Sequence, residues 1–169
     1  MTTPLSNTYA FEATLHAQPI MAEPIAAGPP LQDQWGTWPT LALRPDQFAE
    51  PLPILCDEAL LQLSRLPRLY AEPDGSFVWT SSHEGLRWQV NGTLLERDQR
   101  VLLVDLKGSC PPTEFDQLIT CFGAPPAAIV FQLVRSAVTI DEATLRNHAL
   151  ARGRAGDGDV LRPPDSCGW

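Results

Sequence analysis

Asp105-Leu106-Lys107 sets a carboxylate and an ammonium two residues apart, hence on one face wherever the chain is extended. Lys107 is the single lysine against eleven arginines. An arginine-rich composition is the default of a GC-rich coding sequence. A solitary lysine therefore marks a task for a compact point charge that can approach a water or a phosphoryl oxygen. Asn91, Glu96 and Glu58 are the polar groups that the surrounding pattern could bring to this pair. The plainer alternative is a solvated same-face ion pair on a strand, worth less than about 1 kcal/mol.

Other constellations are missing. The chain has no Walker loop, no G-x-G-x-x-G, no G-x-S-x-G elbow and no H-E-x-x-H. Cys56, Cys110, Cys121 and Cys167 form no C-x-x-C pair and read as small buried hydrophobes rather than a zinc or disulfide framework. His16, His83 and His148 are scattered, and His148 reads as a surface or cap residue of a terminal helix. Trp79 and Trp88 read as core packing.

The elements that must position the pair follow from periodicity. Leu60, Leu61, Leu63 and Leu66 mark a helix after an Asp57 cap, ended by Pro67. Residues 77–79 are a short strand. Residues 86–96 are a strand pattern holding Asn91-Gly92, either a tight hairpin turn or a bulge in one longer strand. A polar loop at 97–100 leads into 101–107, an apolar run typical of a strand buried on both faces. A capping-box signal at Thr113-Glu114-Phe115-Asp116 starts a helix that Gly123 closes. Residues 128–134 are a further strand and 141–151 a last helix. The expectation is an α+β fold of α-β-β-β-α-β-α order, a three-stranded meander plus a further strand in a mixed sheet flanked by helices. Nine of 17 prolines fall in residues 1–55. Residues 1–30 are therefore expected to be a flexible Pro-rich segment, and 31–55 an irregular strap anchored by Trp35 and Trp38. A single domain is expected over 31–151 with its core in 56–150, followed by a flexible tail over 152–169.

On these residues and this order, the chain resembles the PD-(D/E)xK nuclease-like superfamily over roughly residues 57–135. That fold follows an acid on its second strand with (D/E)-x-K on its third, and Asp105-Leu106-Lys107 looks like the latter. Val90-Asn91-Gly92 resembles the family's P-D-G, with asparagine where the aspartate belongs. Trp88-x-x-x-Gly92-x-x-Leu95-Glu96 is similar to a stretch of some restriction-type toxin domains. Hairpin geometry favours Asn91, since Glu96 lies about 13 Å from the partner of Asp105 at ~3.4 Å per residue. Charge favours Glu96. The resemblance implies metal-assisted phosphodiester hydrolysis. Mg²⁺ or Mn²⁺ would be held by Asp105 with Glu96 or Asn91, and Glu58 would be an additional ligand. Catalysis would rest on Asp105, Glu96 and Lys107, with Lys107 orienting the attacking water.

Charge restrains that expectation. The chain carries −8, and residues 56–150 hold twelve acids against eight bases, whereas each phosphate contact asks for a cation. Nucleic acid is thus a disfavoured partner. The competing reading is a non-enzymatic α+β domain working through protein contact, with the acidic strap or Cys167-Gly168-Trp169 as docking elements. No apolar run reaches membrane-spanning length and the first twenty residues lack a signal-peptide pattern, which points to a cytoplasmic protein without a membrane partner.

Overall fold

Three long strands form the middle of the sheet: β1 (Tyr9–Ala17), β6 (Gln89–Arg97) and β7 (Arg100–Cys110). The computed structural model describes residues 7–123, 125 and 128–156. Around these three lie the β2 (Ala27–Asp33) and β3 (Gly36–Leu41) hairpin, β4 (Leu69–Ala71), β5 (Ser76–Thr80), β8 (Ile129–Leu133) and β9 (Thr139–Asp141). The helices are α1 (Cys56–Ser64), α2 (Pro112–Thr120) and α3 (Glu142–Ala155). One nine-stranded sheet runs in the order β2-β3-β9-β8-β1-β7-β6-β5-β4, and every pairing is antiparallel.

An antiparallel sheet can be buried on one face and solvated on the other. This one is across β1, β7, β6, β5 and β4, up to the end of β1 where Phe48 covers His16. Phe11, Ala13 and Leu15 of β1, Val104 and Leu106 of β7, Val90 and Leu94 of β6 and Phe131 of β8 form one cluster. Ala59 and Leu63 of α1, Phe115 and Leu118 of α2, and Leu145 and Ala149 of α3 complete it. All three helices therefore pack on the same face. Phe115 anchors them, with its ring 5.5 Å from Tyr9 and 5.4 Å from Phe11. Trp79 and Trp88 pack edge to face at 5.0 Å within the core. The opposite face carries Glu12, Thr14, Asn91, Thr93, Asp105 and Lys107.

This architecture corrects the expected one. The sheet is not mixed, and the order is not α-β-β-β-α-β-α. Three strands precede α1, four separate α1 from α2, and two separate α2 from α3. Strand β1 lies between β7 and β8, so the strand before α2 and the strand after it are not neighbours. Residues 9–17, inside the segment expected to be flexible, are the fifth strand of nine. Residues 27–41 are a hairpin rather than an irregular strap. Helix α3 continues to Ala155, past the expected start of the tail. Cys167-Gly168-Trp169 lies outside the described residues.

Local details follow from sequence chemistry. Asp98 and Gln99 both take positive φ (52° and 70°) in the β6–β7 turn, which suits the twist of a two-residue hairpin. Asn91-Gly92 is not a turn. It runs through the interior of β6, and the glycine makes room for the Phe77 ring, from which a Cβ at this position would stand 2.1 Å. The register shift falls later, between Leu95 and Glu96. Helix α2 starts on Pro112 with no side-chain cap, and α1 starts after Leu55 rather than under an Asp57 cap. Among the described helices only α3 has a side-chain cap, Asp141 accepting from the Thr144 amide at 2.8 Å.

Candidate functional site

Two rungs of the open face bring the polar side chains together. In the first, Glu12 of β1 stands opposite Lys107 of β7, which stands opposite Asn91 of β6. In the second, Thr14, Asp105 and Thr93 stand in the same relation. The six residues line a shallow depression of about 460 Å³ that Val134 closes on one side. The Thr14 hydroxyl donates to Asp105 Oδ1 at 2.8 Å. Gln89 Nε2 donates to Asn91 Oδ1 at 3.0 Å. Arg135 Nε lies 3.6 Å from Glu12 Oε2. Among the described residues, Lys107 has neither a hydrogen bond nor an ion pair. Its ammonium is the uncommitted charge of the depression.

Of the residues singled out in the sequence, Asp105, Lys107 and Asn91 meet here. Glu96 does not. It pairs with Val101 beyond the register shift, three residues past Thr93 and thus about 10 Å along the strand. Its charge acts instead on Cys56 at the start of α1, where burial first, then Glu96 and Asp57, push the thiol up. Glu58 sits on α1, on the helix-covered side. The shift between Leu95 and Glu96 breaks the two-residue period, which is why charge pattern alone misplaces Glu96.

The donor set does not fit Mg²⁺ or Mn²⁺. Hard cations ask for several carboxylate oxygens. Here the Glu12 carboxylate faces Arg135, one Asp105 oxygen accepts from Thr14, and the Asn91 oxygen accepts from Gln89. Among the described residues no group of three or more His, Cys, Asp or Glu is placed to hold a metal ion. Buried Cys110 and Cys121 are held well above the ordinary thiol value, Cys121 at about 11, chiefly by burial. They remain thiols rather than nucleophilic thiolates.

Sequence reasoning missed Glu12, Thr14 and His16, all from β1. The alternation of Tyr9-Ala-Phe-Glu-Ala-Thr-Leu-His-Ala17 is the signal that could have found them. His16 lies one rung beyond Asp105 on the same face, stacked 4.3 Å from the Phe48 ring. It is buried, and among the described residues neither ring nitrogen is in hydrogen-bond geometry, although the Gln132 side chain lies near enough to act on the ring. Burial holds it below its ordinary value of 6.5, against opposing effects of Gln132 and Asp105. A group so lowered contributes stability above pH 6.5 and loses it as the pH falls. His16→Leu should therefore stabilise the chain by roughly 1 kcal/mol at about pH 7.5, and by more at about pH 5.5. Urea midpoints at both pH values measure this. Identical midpoints for the two proteins would mean that the ring is not an unpaired polar burial.

A second polar cluster joins the β2–β3 hairpin to α3. Asp33 Oδ1 accepts from the amides of Trp35 (2.9 Å) and Gly36 (3.1 Å) and from Trp38 Nε1 (3.0 Å). Asp33 Oδ2 lies 2.8 Å from His148 Nε2. Trp35 and Trp38 each meet the His148 ring edge to face, and the Arg152 guanidinium lies over Trp35. His148 is thus buried rather than a surface cap.

The fold and site define a one-sided antiparallel sheet domain with a mixed-charge depression on its bare face. No protein-family model, curated protein or solved structure matches this chain. Among the described residues no helix is long and apolar enough to cross a membrane.

Proposed function

We propose that this chain is a non-catalytic binding domain that engages a protein partner through the open β1–β7–β6 face. The observation that carries this reading is the state of the depression's charges. Among the described residues both carboxylates have cationic or hydroxyl partners while Lys107 has none, an arrangement suited to meeting a complementary surface and lacking a built metal site. Exposed Leu95 and Val134 and half-buried Leu103 flank the polar rungs. Such a centre of few polar anchors beside apolar contact is what protein interfaces use.

The test is a photo-crosslinker, p-benzoylphenylalanine, placed at Thr93 on the open face or at Glu58 on the helix side, in the native host. Discrete adducts from the Thr93 position, absent from the Glu58 position and lost when Lys107→Asp is added, are the expected result. Equal labelling from both positions would reject the open face as the binding face. Divalent-dependent cleavage of DNA or RNA by the purified chain, abolished in Lys107→Ala, would replace the reading with a hydrolase.

A further inference from the structure

Resting on that reading of the open face, we infer that its occupant is a second copy of this chain, stacked sheet on sheet about a two-fold axis. The two rungs are complementary to each other. An axis lying between two stacked sheets, running across the strands midway between the rungs, lays the first rung of one copy over the second rung of the other. Lys107 then faces the partner copy's Asp105, and the Asn91 amide faces a Thr93 hydroxyl. The Glu12 carboxylate faces a Thr14 hydroxyl whose proton turns to it from Asp105 as the other copy's Lys107 takes that place. Every facing pair combines donor with acceptor or cation with anion, and each occurs twice, as a closed isologous interface requires.

Dimensions permit it. Facing sheets pack about 10 Å apart, a gap that a lysine and an aspartate span together. The bare part of the face spans β1, β7, β6, β5 and β4, five strands spaced ~4.8 Å apart and so roughly 20 Å across, because His16, Val130 and Thr139 on the β8 and β9 side are buried. That is the size of a small, weakly associating interface, which sedimentation at high micromolar concentration reaches. Charge also fixes the orientation. Turning the axis to run along β7 would set Lys107 over Lys107 and Asp105 over Asp105. An unrelated partner would have to supply the same alternation of charge from its own surface, whereas a second copy carries it already. The whole-chain charge of −8 opposes the approach of two copies at long range. Salt screens that repulsion, so association should tighten between about 0.05 M and about 0.3 M NaCl before the close pairs weaken.

Sedimentation equilibrium of the purified chain, from micromolar to several hundred micromolar, is the experiment. The expected mass is twice 18.6 kDa. Lys107→Asp alone sets acid against acid, and Asp105→Lys alone sets lysine against lysine, so each should weaken association by roughly 100-fold. Mixing the two variants restores both opposite-charge pairs and should restore the doubled mass. Both positions are exposed, and far-UV circular dichroism checks each fold. Thr93→Arg, placed over the partner copy's Asn91, provides a third dissociating variant should either swap misfold. A native chain that stays at 18.6 kDa throughout, swaps that leave the doubled mass intact, or a mixture that fails to recover it would each overturn the second-copy assignment. The Thr93 crosslink separates this failure from that of the binding face. Adducts of a mass other than the doubled chain leave the face standing and remove the second copy, and no adducts at all remove both.

Discussion

A chain lacking residues 1–17 will not fold: its urea curve will show no cooperative transition, and its near-UV circular dichroism will be flat. Strand β1 pairs with β7 from Tyr9↔Cys110 to His16↔Leu103 and with β8 from Ala13↔Leu133 to Ala17↔Ile129. Removing it opens two central edges and leaves their backbone donors and acceptors without ladder partners. It also strips Tyr9, Phe11 and Leu15 from the core. Each such side chain contributes about 1.5–3 kcal/mol when buried, and together they rival the whole stability of an ordinary domain, roughly 5–15 kcal/mol. The grip on β1 extends to α3, where Gly153 presses so closely that a Cβ there would stand 1.7 Å from the Thr8 carbonyl oxygen. Because a truncated chain can simply aggregate, Phe11→Ala supplies the graded version. It should remain soluble and lose about 3–5 kcal/mol in urea titrations. A truncated chain that unfolds cooperatively at the native midpoint would return residues 1–17 to the status of an appendage.

That strand is also where sequence reading stops. Residues 76–80 and 89–97 show themselves as strands because large apolar residues alternate with polar ones and turn signals bound them. Residues 101–107 show themselves as an apolar run, but the strand is not buried on both faces as that run suggests, since Asp105 and Lys107 are exposed. Asn91, Asp105 and Lys107 share a face through the two-residue period of a strand. In β1 the alternation is present but diluted, since Ala13 and Ala17 hold core positions with little hydrophobic weight. Its strand character comes from pairing with residues about ninety positions away, which no local window contains. The prolines beyond it point toward disorder, yet Pro29 and Pro30 lie in β2 at the sheet's edge, where a missing N–H costs no ladder bond. Once β1 is overlooked, β7 and β8 look like neighbours, and a mixed sheet of nuclease-like order follows. The missing strand thus accounts both for the wrong fold and for the absence of Glu12 and Thr14 from the expected site.

Breaking the Asp33 cluster should loosen the β2–β3 hairpin while leaving the central sheet intact. The hairpin meets the rest of the sheet at one register pair, Leu41↔Thr139, so its attachment rests on side chains. Replacing Asp33 with alanine leaves the Trp35 and Gly36 amides, Trp38 Nε1 and His148 Nε2 without their acceptor. The expected cost is about 3 kcal/mol, or a roughly 100-fold loss of hydrogen-exchange protection across residues 36–41. Protection in β1 and β7 should not change. Acid should act on the same contact. Burial outweighs the influence of Asp33 and, aided by Arg152, holds His148 below its ordinary 6.5. Its contribution is complete above that pH and is lost as the pH falls. For Asp33, burial acts to raise the carboxyl, but hydrogen bonds from Trp38, His148 and Trp35 hold it below 3.8. Its contribution therefore persists through the histidine range and is lost only in stronger acid. The hairpin should loosen in two stages, with His148→Phe abolishing the first and Asp33→Ala both deepening the first and removing the second. Protection factors at residues 36–41 that do not vary with pH in the native chain would show that the hairpin is held by packing of Trp35 and Trp38 alone.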